Sequence, residues 1–498
     1  MSSQDQTDLL KNLSPAKRAL LLKALSEEKS RADASKAIPR RTQEGPAPLS
    51  YAQRRLWFLS QLGADPALYN MASAVRLRGA LDVEALRSAL RRISERHESL
   101  RTSFAAGADG EPVQVVEPDA ELGLEVLDIG GGEERARAVA REMAREGFDL
   151  GRAPLARARL LRLGGDEHVL VVVMHHIISD GWSTGVLVGE LVRLYAAYSE
   201  GGEEEAREAV RALPVQYPDF AVWQNRWLES GAMESQLAYW KNQLAGAATV
   251  LQLPTDHERP AKQTHRGAQV ALALSPDLTS SVKRLAREHS ATPFMLLLSA
   301  FYVLLRRYTS QPDILVGTPV ANRTRPEIEP LIGFFVNTLV LRADLSDDPS
   351  FLELLKRVKR TALDAYANQD LPFEKLVEVL NPARDMSRSA MFQVMFVQQE
   401  EPASGLRLAG LEVETLDVGT GTAKFEQTWA VREVGGGDLE LRLEYNADLF
   451  DSETAKRMAR HYRNLLEAAV GEPRARCSEL PLMGEGERRL LLEGFNDT

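Results

Sequence analysis

Apolar positions along the chain follow two rhythms. After Asp82, Leu86, Leu90 and Ile93 recur at three- and four-residue spacing, which predicts an amphipathic helix running towards Arg96 with Asp82 as its cap. Val186, Leu187, Leu191, Leu194, Tyr195 and Tyr198 draw a second such stripe, over roughly Ser183 to Tyr198. Between them, His168 to Met174 is a short, valine-rich, unbroken apolar run, the mark of a buried strand. Beyond residue 260 the pattern restarts with alternation around Ala268 to Leu274, an apolar helix from Pro293 to Leu305 and a strand over Ile314 to Val316. Gly435-Gly436-Gly437 then reads as a hairpin turn joining Trp429 to Val434 with Leu439 to Tyr445. Helices and strands interleave throughout, so the class is α/β.

The breaks in this pattern predict the organisation. Leu13-Ser14-Pro15 followed by Ala16 to Leu25 fits a short helix, and Glu27 to Pro46 is polar enough for a linker. Leu253 to Pro260 has turn chemistry and little apolar content, and separates two lobes. The expected divisions are an N-terminal helix and linker over 1–47, a first lobe over 48–225, an inter-lobe linker over 226–265, a second lobe over 266–480 and a tail over 481–498.

Composition narrows the classes. With 498 residues, 44% hydrophobic and 27% charged, the chain has an ordinary globular balance, which excludes a wholly disordered chain, a collagen-like fibre and a small disulfide scaffold. The 61 basic and 71 acidic residues leave a net charge of −10, a poor match for nucleic acid. Cys477 is the single cysteine, so no internal disulfide and no multi-cysteine zinc site can form. The run Val169 to Met174, with Ile177 and Ile178 beyond it, is far shorter than the roughly 20 residues that span a bilayer. Met1 to Leu10 lacks the pattern of a signal peptide. A reducing, cytoplasmic setting without membrane attachment is the expectation.

One constellation carries chemistry. Of eight histidines only His175 and His176 are adjacent, inside Met174-His175-His176-Ile177-Ile178-Ser179-Asp180-Gly181-Trp182-Ser183. Neighbouring strand residues face opposite sides, so one imidazole meets a cavity while the other packs. Asp180 can turn back to anchor the loop through an arginine. Neither a third and fourth ligand nor a His-Glu-x-x-His helix accompanies the pair, so no metal is expected. Gly181-Trp182-Ser183-Thr184-Gly185 is also a literal Gly-x-Ser-x-Gly between a strand and a helix, which raises a serine hydrolase using Ser183, with His257, His265, His289 or His461 completing a triad. The plainer role for Ser183 is the cap of the following helix.

The decapeptide Met174 to Ser183 resembles the His-His-x-x-x-Asp-Gly motif of nonribosomal peptide synthetase condensation domains, and the resemblance runs in order over about residues 48–480. Ser50 to Phe58 is similar to the first family motif, Arg96 to Thr102 to the second, Tyr217 to Gln224 to the fourth, and Ile332 to Thr338 to the fifth. Gln369 to Glu374 and Arg384 to Ser389 are similar to the sixth and seventh. Departures are Asn368 where His is usual, Ser389-Ala390 in place of a small residue and Pro, and Thr422-Ala423-Lys424-Phe425-Glu426-Gln427 in place of the commoner Lys-Phe-Asp-Leu.

The resemblance implies two chloramphenicol-acetyltransferase-like α/β lobes forming a V, with the active site and a tunnel at their junction. It implies an acyltransferase that forms an amide between a donor acyl or peptidyl thioester on one carrier protein and the amine of an aminoacyl thioester on a second, with no covalent acyl-enzyme. His176 is then catalytic, as a proton acceptor or as a group that orients the amine. His175, Asp180, Gly181 and Arg323 support the loop, Arg96 and Arg101 being the other candidate partners of Asp180. Gly181 lets the backbone approach the tunnel, and Trp182, Ser183 and Asn337 lie near it, Asn337 steadying a crossover between lobes. The domain itself binds no cofactor; its carrier substrates present 4'-phosphopantetheine. Its partners are an upstream donor and a downstream acceptor carrier protein and an adjoining adenylation domain, towards which the tail leads, and the domain is expected to be monomeric. The motif looks most like the subtype joining two L-residues. The alternatives are a starter subtype transferring a fatty acyl group, the Ser183 hydrolase, and a non-catalytic docking platform.

Overall fold

The computed structural model describes residues 37–494 except 44, 64, 383, 384, 400–406, 409, 435 and 436. The helix expected over Ala16 to Leu25, and the last four residues of the tail, lie outside them.

Fifteen strands are found among the described residues: β1 Ala47–Pro48, β2 Asn70–Arg78, β3 Thr102–Ala106, β4 Pro112–Val116, β5 Leu124–Asp128, β6 Ala156–Gly164, β7 Glu167–His175, β8 Gly267–Ala273, β9 Asp313–Val320, β10 Asn337–Asp344, β11 Val394–Gln399, β12 Arg407–Leu408, β13 Leu411–Leu416, β14 Gln427–Val434 and β15 Asp438–Asn446. They build two six-stranded sheets, β12-β13-β2-β7-β6-β5 in the first lobe and β10-β9-β11-β14-β15-β8 in the second, beside a small β1-β4-β3 sheet. Both large sheets are mixed, with β5–β6, β11–β9 and β11–β14 parallel.

The valine-rich run becomes β7, paired on both edges with β2 and β6 and buried at eight successive positions to His175. Such a strand needs no polar alternation, because neither face meets water. The helix Gly132–Arg145 packs on β2, β6 and β7. In the second lobe, the helix Pro293–Thr309 is buried at every position from Phe294 to Leu305 and packs against Pro276–Glu288, Phe351–Ala367 and Ser452–Gly471. An apolar helix wrapped on all sides is a core helix. Among the described residues no single helix is long and apolar enough to cross a membrane.

Two features depart from the divisions read in the sequence. The stretch 226–265 is not a bare linker, because it holds the end of the helix Tyr217–Glu229 and all of Glu234–Gln243. And β12 and β13, which follow β11 of the second sheet, cross to the first lobe, where β13 pairs antiparallel with β2 from Glu412↔Arg78 to Leu416↔Ala74. Leu408, Leu411 and Leu416 join the first lobe's core there. The crossing covers what would otherwise be an open edge of β2.

A third apolar cluster closes the junction. Ile38, Leu213, Val215, Tyr217 and Phe220 pack with Ile328, Leu331 and Phe335 of the second lobe. A loop of the second lobe, residues 321–336, is thereby seated in the first.

Candidate active site at the lobe junction

β7 ends at His175, and His176 opens a single 3-10 turn to Ile178. The two histidines therefore part company at a strand end. His175 packs between Tyr69 and Phe148, with ring centroids 6.3 and 6.2 Å away, and its Nδ1 accepts the Ile177 N–H at 3.1 Å. Burial, with the Lys424 charge adding to it, pushes its pKa down to about 3. His175 is a packed, neutral ring.

His176 turns to the junction. Its backbone N–H donates to Tyr69 O at 2.8 Å, and its ring lies edge-on to Phe334 at 4.8 Å. Nδ1 lies 2.8 Å from Ser179 O. A carbonyl oxygen only accepts, so Nδ1 carries the proton and Nε2 keeps a lone pair. Burial first, and Lys424 second, hold the ring's pKa well below its ordinary value. His176 as a residue is only partly shielded from solvent, and its neutral acceptor nitrogen stands at the junction.

Asp180 caps the helix Gly181–Glu200, and its carboxylate is fully committed. Oδ1 accepts from Ser183 N at 2.8 Å, Ser183 Oγ at 2.7 Å and Arg323 Nη2 at 3.2 Å, while Oδ2 accepts from Phe335 N at 2.9 Å. Arg323 comes from the second lobe; its Nη1 donates to Ile328 O and Leu331 O, and the Phe335 ring lies 4.2 Å from its guanidinium carbon. Arg96 pairs instead with Glu190, and Arg101 donates to Ser94 O and Glu95 O. No contact joins Asp180 to the His176 ring, so these residues are not a His–Asp dyad.

Ser183 is neither the helix cap nor a nucleophile. It lies in the first turn with no exposed surface. Its hydroxyl hydrogen is shared between Asp180 Oδ1 and Gly333 O, and its oxygen accepts from Gly333 N at 3.0 Å and Arg323 Nη2 at 2.8 Å. Both lone pairs are taken and no histidine is among its partners. The hydrolase alternative is overturned on that geometry.

The remaining residues singled out in the sequence are spread around this centre. Gly181 is exposed; a Cβ there would meet nothing within 4 Å, so neither packing nor backbone conformation demands glycine. Trp182 is 47% exposed and donates from Nε1 to Glu329 O at 2.9 Å, latching onto the seated loop. Asn337 does not bridge the lobes. It donates to Gln369 O and Leu371 O and accepts from Phe373 N, pinning one second-lobe loop to β10. That loop leads to Glu374, whose Oε1 lies 3.6 Å from Arg55 Nη1 of the first lobe. Burial raises the Glu374 pKa, with Arg55 opposing.

Tyr69 packs on His175 and the Lys424 charge acts on both histidines, and the sequence singled out neither as a site residue. Lys424 Nζ lies 5.1 Å from the Tyr69 ring centroid. Its nearest anionic influence, Glu444, also lines a groove of about 330 Å³ between Arg137, Arg141 and Arg145 of the helix Gly132–Arg145 and the segment Asp417–Thr422. Among the described residues no group of three or more His, Cys, Asp or Glu side chains is placed to hold a metal ion.

The family model for the condensation domain matches residues 43–492. The chain belongs to the condensation-domain family. It is 47% identical over 458 residues to one of the linear gramicidin synthase proteins of Brevibacillus parabrevis, covering 91% of this chain and 6% of that protein. It is 41% identical over 465 residues to malpinin synthetase of Mortierella alpina, covering 93% of this chain and 6% of that protein. The chain thus spans less than a tenth of these relatives. Among solved structures, the X-domain from teicoplanin biosynthesis superposes with a TM-score of 0.81 at 31% identity, over 90% of this chain and all of that one. The first condensation domain of the calcium-dependent antibiotic synthetase does so with a TM-score of 0.74 at 21% identity, over 88% of this chain and 99% of that one, a likeness of fold alone. The two-lobed chloramphenicol-acetyltransferase-like architecture expected from the sequence is the one observed.

Proposed function

We propose that this domain joins an aminoacyl or peptidyl donor, ending in an L-residue and held as a thioester on one carrier protein, to the amine of an aminoacyl thioester on a second, with Nε2 of His176 receiving the amine. The single observation that carries the role of His176 is its tautomer: Nδ1–H is spent on Ser179 O, so Nε2 of the neutral ring is an acceptor.

The chemistry asks little more. A free α-amine has a pKa of about 7.7–8.0 and is appreciably nucleophilic at neutral pH. Two tethered reactants held in register gain the advantage of an effectively intramolecular step. As the amine nitrogen bonds to the carbonyl carbon, its proton passes to Nε2; the C–S bond then breaks and the thiolate takes that proton. Acid–base help of this kind contributes about 10²–10⁴-fold. Asp180 and Arg323 hold the loop that presents the ring and take no part in proton transfer.

Phosphopantetheine on the carriers and an adjoining adenylation domain belong to the same reading, supported by relatives that are synthetases of which this chain covers 6%; a cytoplasmic setting goes with that reading. The L-donor preference rests on the motif Met174 to Ser183. Intact-mass measurement of the acceptor carrier after incubation with donors ending in an L-residue, a D-residue or a fatty acyl group tests it. Mass gain from the L-donor alone is expected; equal or greater gain from the fatty acyl donor would favour the starter subtype.

A further inference from the structure

We propose that the Lys424 ammonium stabilises the oxyanion that forms on the donor carbonyl beside His176. The inference rests on the amide-forming reading above and adds a catalytic group to it.

An ammonium has three N–H donors, and one taken out of bulk water needs acceptors for them. Lys424 is partly buried, yet among the described residues no hydrogen bond or ion pair reaches its Nζ. The contact found is with the face of Tyr69, whose backbone carbonyl receives the His176 N–H. Neighbouring backbone is held: Gln263 Nε2 donates to Lys424 O, and Ala423 N donates to His265 O. The cation thus stands on a fixed segment of the second lobe, against Tyr69, the residue that receives the His176 N–H, with no protein acceptor for its donors among the described residues.

Aminolysis of a thioester creates the partner this cation lacks. As nitrogen attacks, the carbonyl π electrons move to oxygen and leave a negative charge one bond from the reacting carbon. When the C–S bond breaks, those electrons return and the carbonyl reforms. Lys424 keeps its proton throughout, and His176 accounts for the proton of the amine. A preorganised donor at a developing oxyanion typically contributes about 10²–10³-fold.

The charged groups that act on Lys424 are Glu444 on β15 and Arg55 on the helix Tyr51–Gln61; Lys424 in turn acts on His175 and His176, and the Tyr69 ring faces it. Burial lowers the ammonium's pKa from its ordinary value, with Glu444 opposing. The wild-type rate therefore falls at alkaline pH, below the ordinary lysine range.

The test is single-turnover amide formation between loaded carriers, with donor-carrier binding measured in parallel. Lys424→Met is expected to slow the step about 10²–10³-fold with donor affinity unchanged. Lys424→Arg, which stays charged, is expected to recover at least tenfold of that loss and to lose the alkaline decline. Should Lys424→Met fail to fold, Lys424→Gln replaces it. A rate within threefold of wild type in the uncharged variant overturns the proposal, as does a loss confined to donors that bear a carboxylate side chain. Wild type that makes no amide with any loaded pair would overturn the amide-forming reading instead.

Discussion

Arg323 reaches from the second lobe to Asp180 of the first at 3.2 Å, and their side chains are only 1% and 2% exposed. The pair does more than neutralise charge. Through Ser183 Oγ and the Phe335 N–H it fastens the seated loop to the first turn of the helix that follows the His176 loop. Breaking one partner strands the other in a dry site.

Asp180→Ala is accordingly expected to cost about 3–5 kcal/mol of stability, and Arg323→Ala a similar amount. The double variant should lose clearly less than the sum, because the second removal relieves the charge stranded by the first. Denaturant unfolding of the four proteins measures the coupling; strict additivity would mean that the two act independently.

Ser183→Ala should keep amide-forming activity within about tenfold while losing stability, since Gly333 N and Arg323 Nη2 each lose an acceptor. An unsatisfied buried donor costs about 1–3 kcal/mol. A serine-directed fluorophosphonate should leave the protein unlabelled. Labelling at Ser183 would contradict the saturated hydroxyl.

His97, His175 and His176 are all held neutral, burial being the main cause at each. The unfolded chain protonates these rings near pH 6.5 and the folded chain does not, so below that pH the unfolded state binds more protons and stability falls as pH falls. For His175 the window runs from about 6.5 down to about 3, where the folded ring finally protonates. Each ring contributes up to about 1.4 kcal/mol per pH unit inside its window. Urea unfolding between pH 7 and 5 should show the slope, and His175→Gln should reduce it by one proton's share.

Gly333→Ala should destabilise the junction, because its Cβ would run into the Tyr217 ring and come 2.8 Å from that of Phe335. Tyr217 has little room to yield: its hydroxyl bonds Phe334 O at 2.6 Å and Ser50 Oγ at 2.8 Å. Overpacking of this kind costs about 1–3 kcal/mol. A lowered melting temperature, with the Gly181→Ala melting temperature unchanged by comparison, is the expected outcome.

What was legible in the sequence was what local chemistry encodes. Asp82 caps the helix Val83–Arg96, the valine run is β7, and β14 and β15 pair from Gln427↔Tyr445 to Val434↔Asp438, as periodicity required. The crossing of β13 was not legible, because the burial of Leu411–Leu416 does not alternate cleanly and its partner β2 lies more than 300 residues earlier. Ser183 misled for the same reason. Gly-x-Ser-x-Gly is a local string, whereas the acceptors and donors that saturate the hydroxyl include Gly333, at a separation of 150 residues, and Arg323, at 140. Lys424 stood in the sequence only as part of a departing motif; its approach to Tyr69 exists only once the lobes meet.

Service of His176 Nε2 in amide formation between two carriers can be tested by intact-mass spectrometry of a loaded donor and a loaded acceptor carrier, with wild type and with His176→Ala. With wild type, the acceptor should gain the donor acyl mass. In the variant, the initial rate should drop about 10²–10⁴-fold. An undiminished rate with His176→Ala, or donor loss by hydrolysis without any gain on the acceptor, would contradict that role.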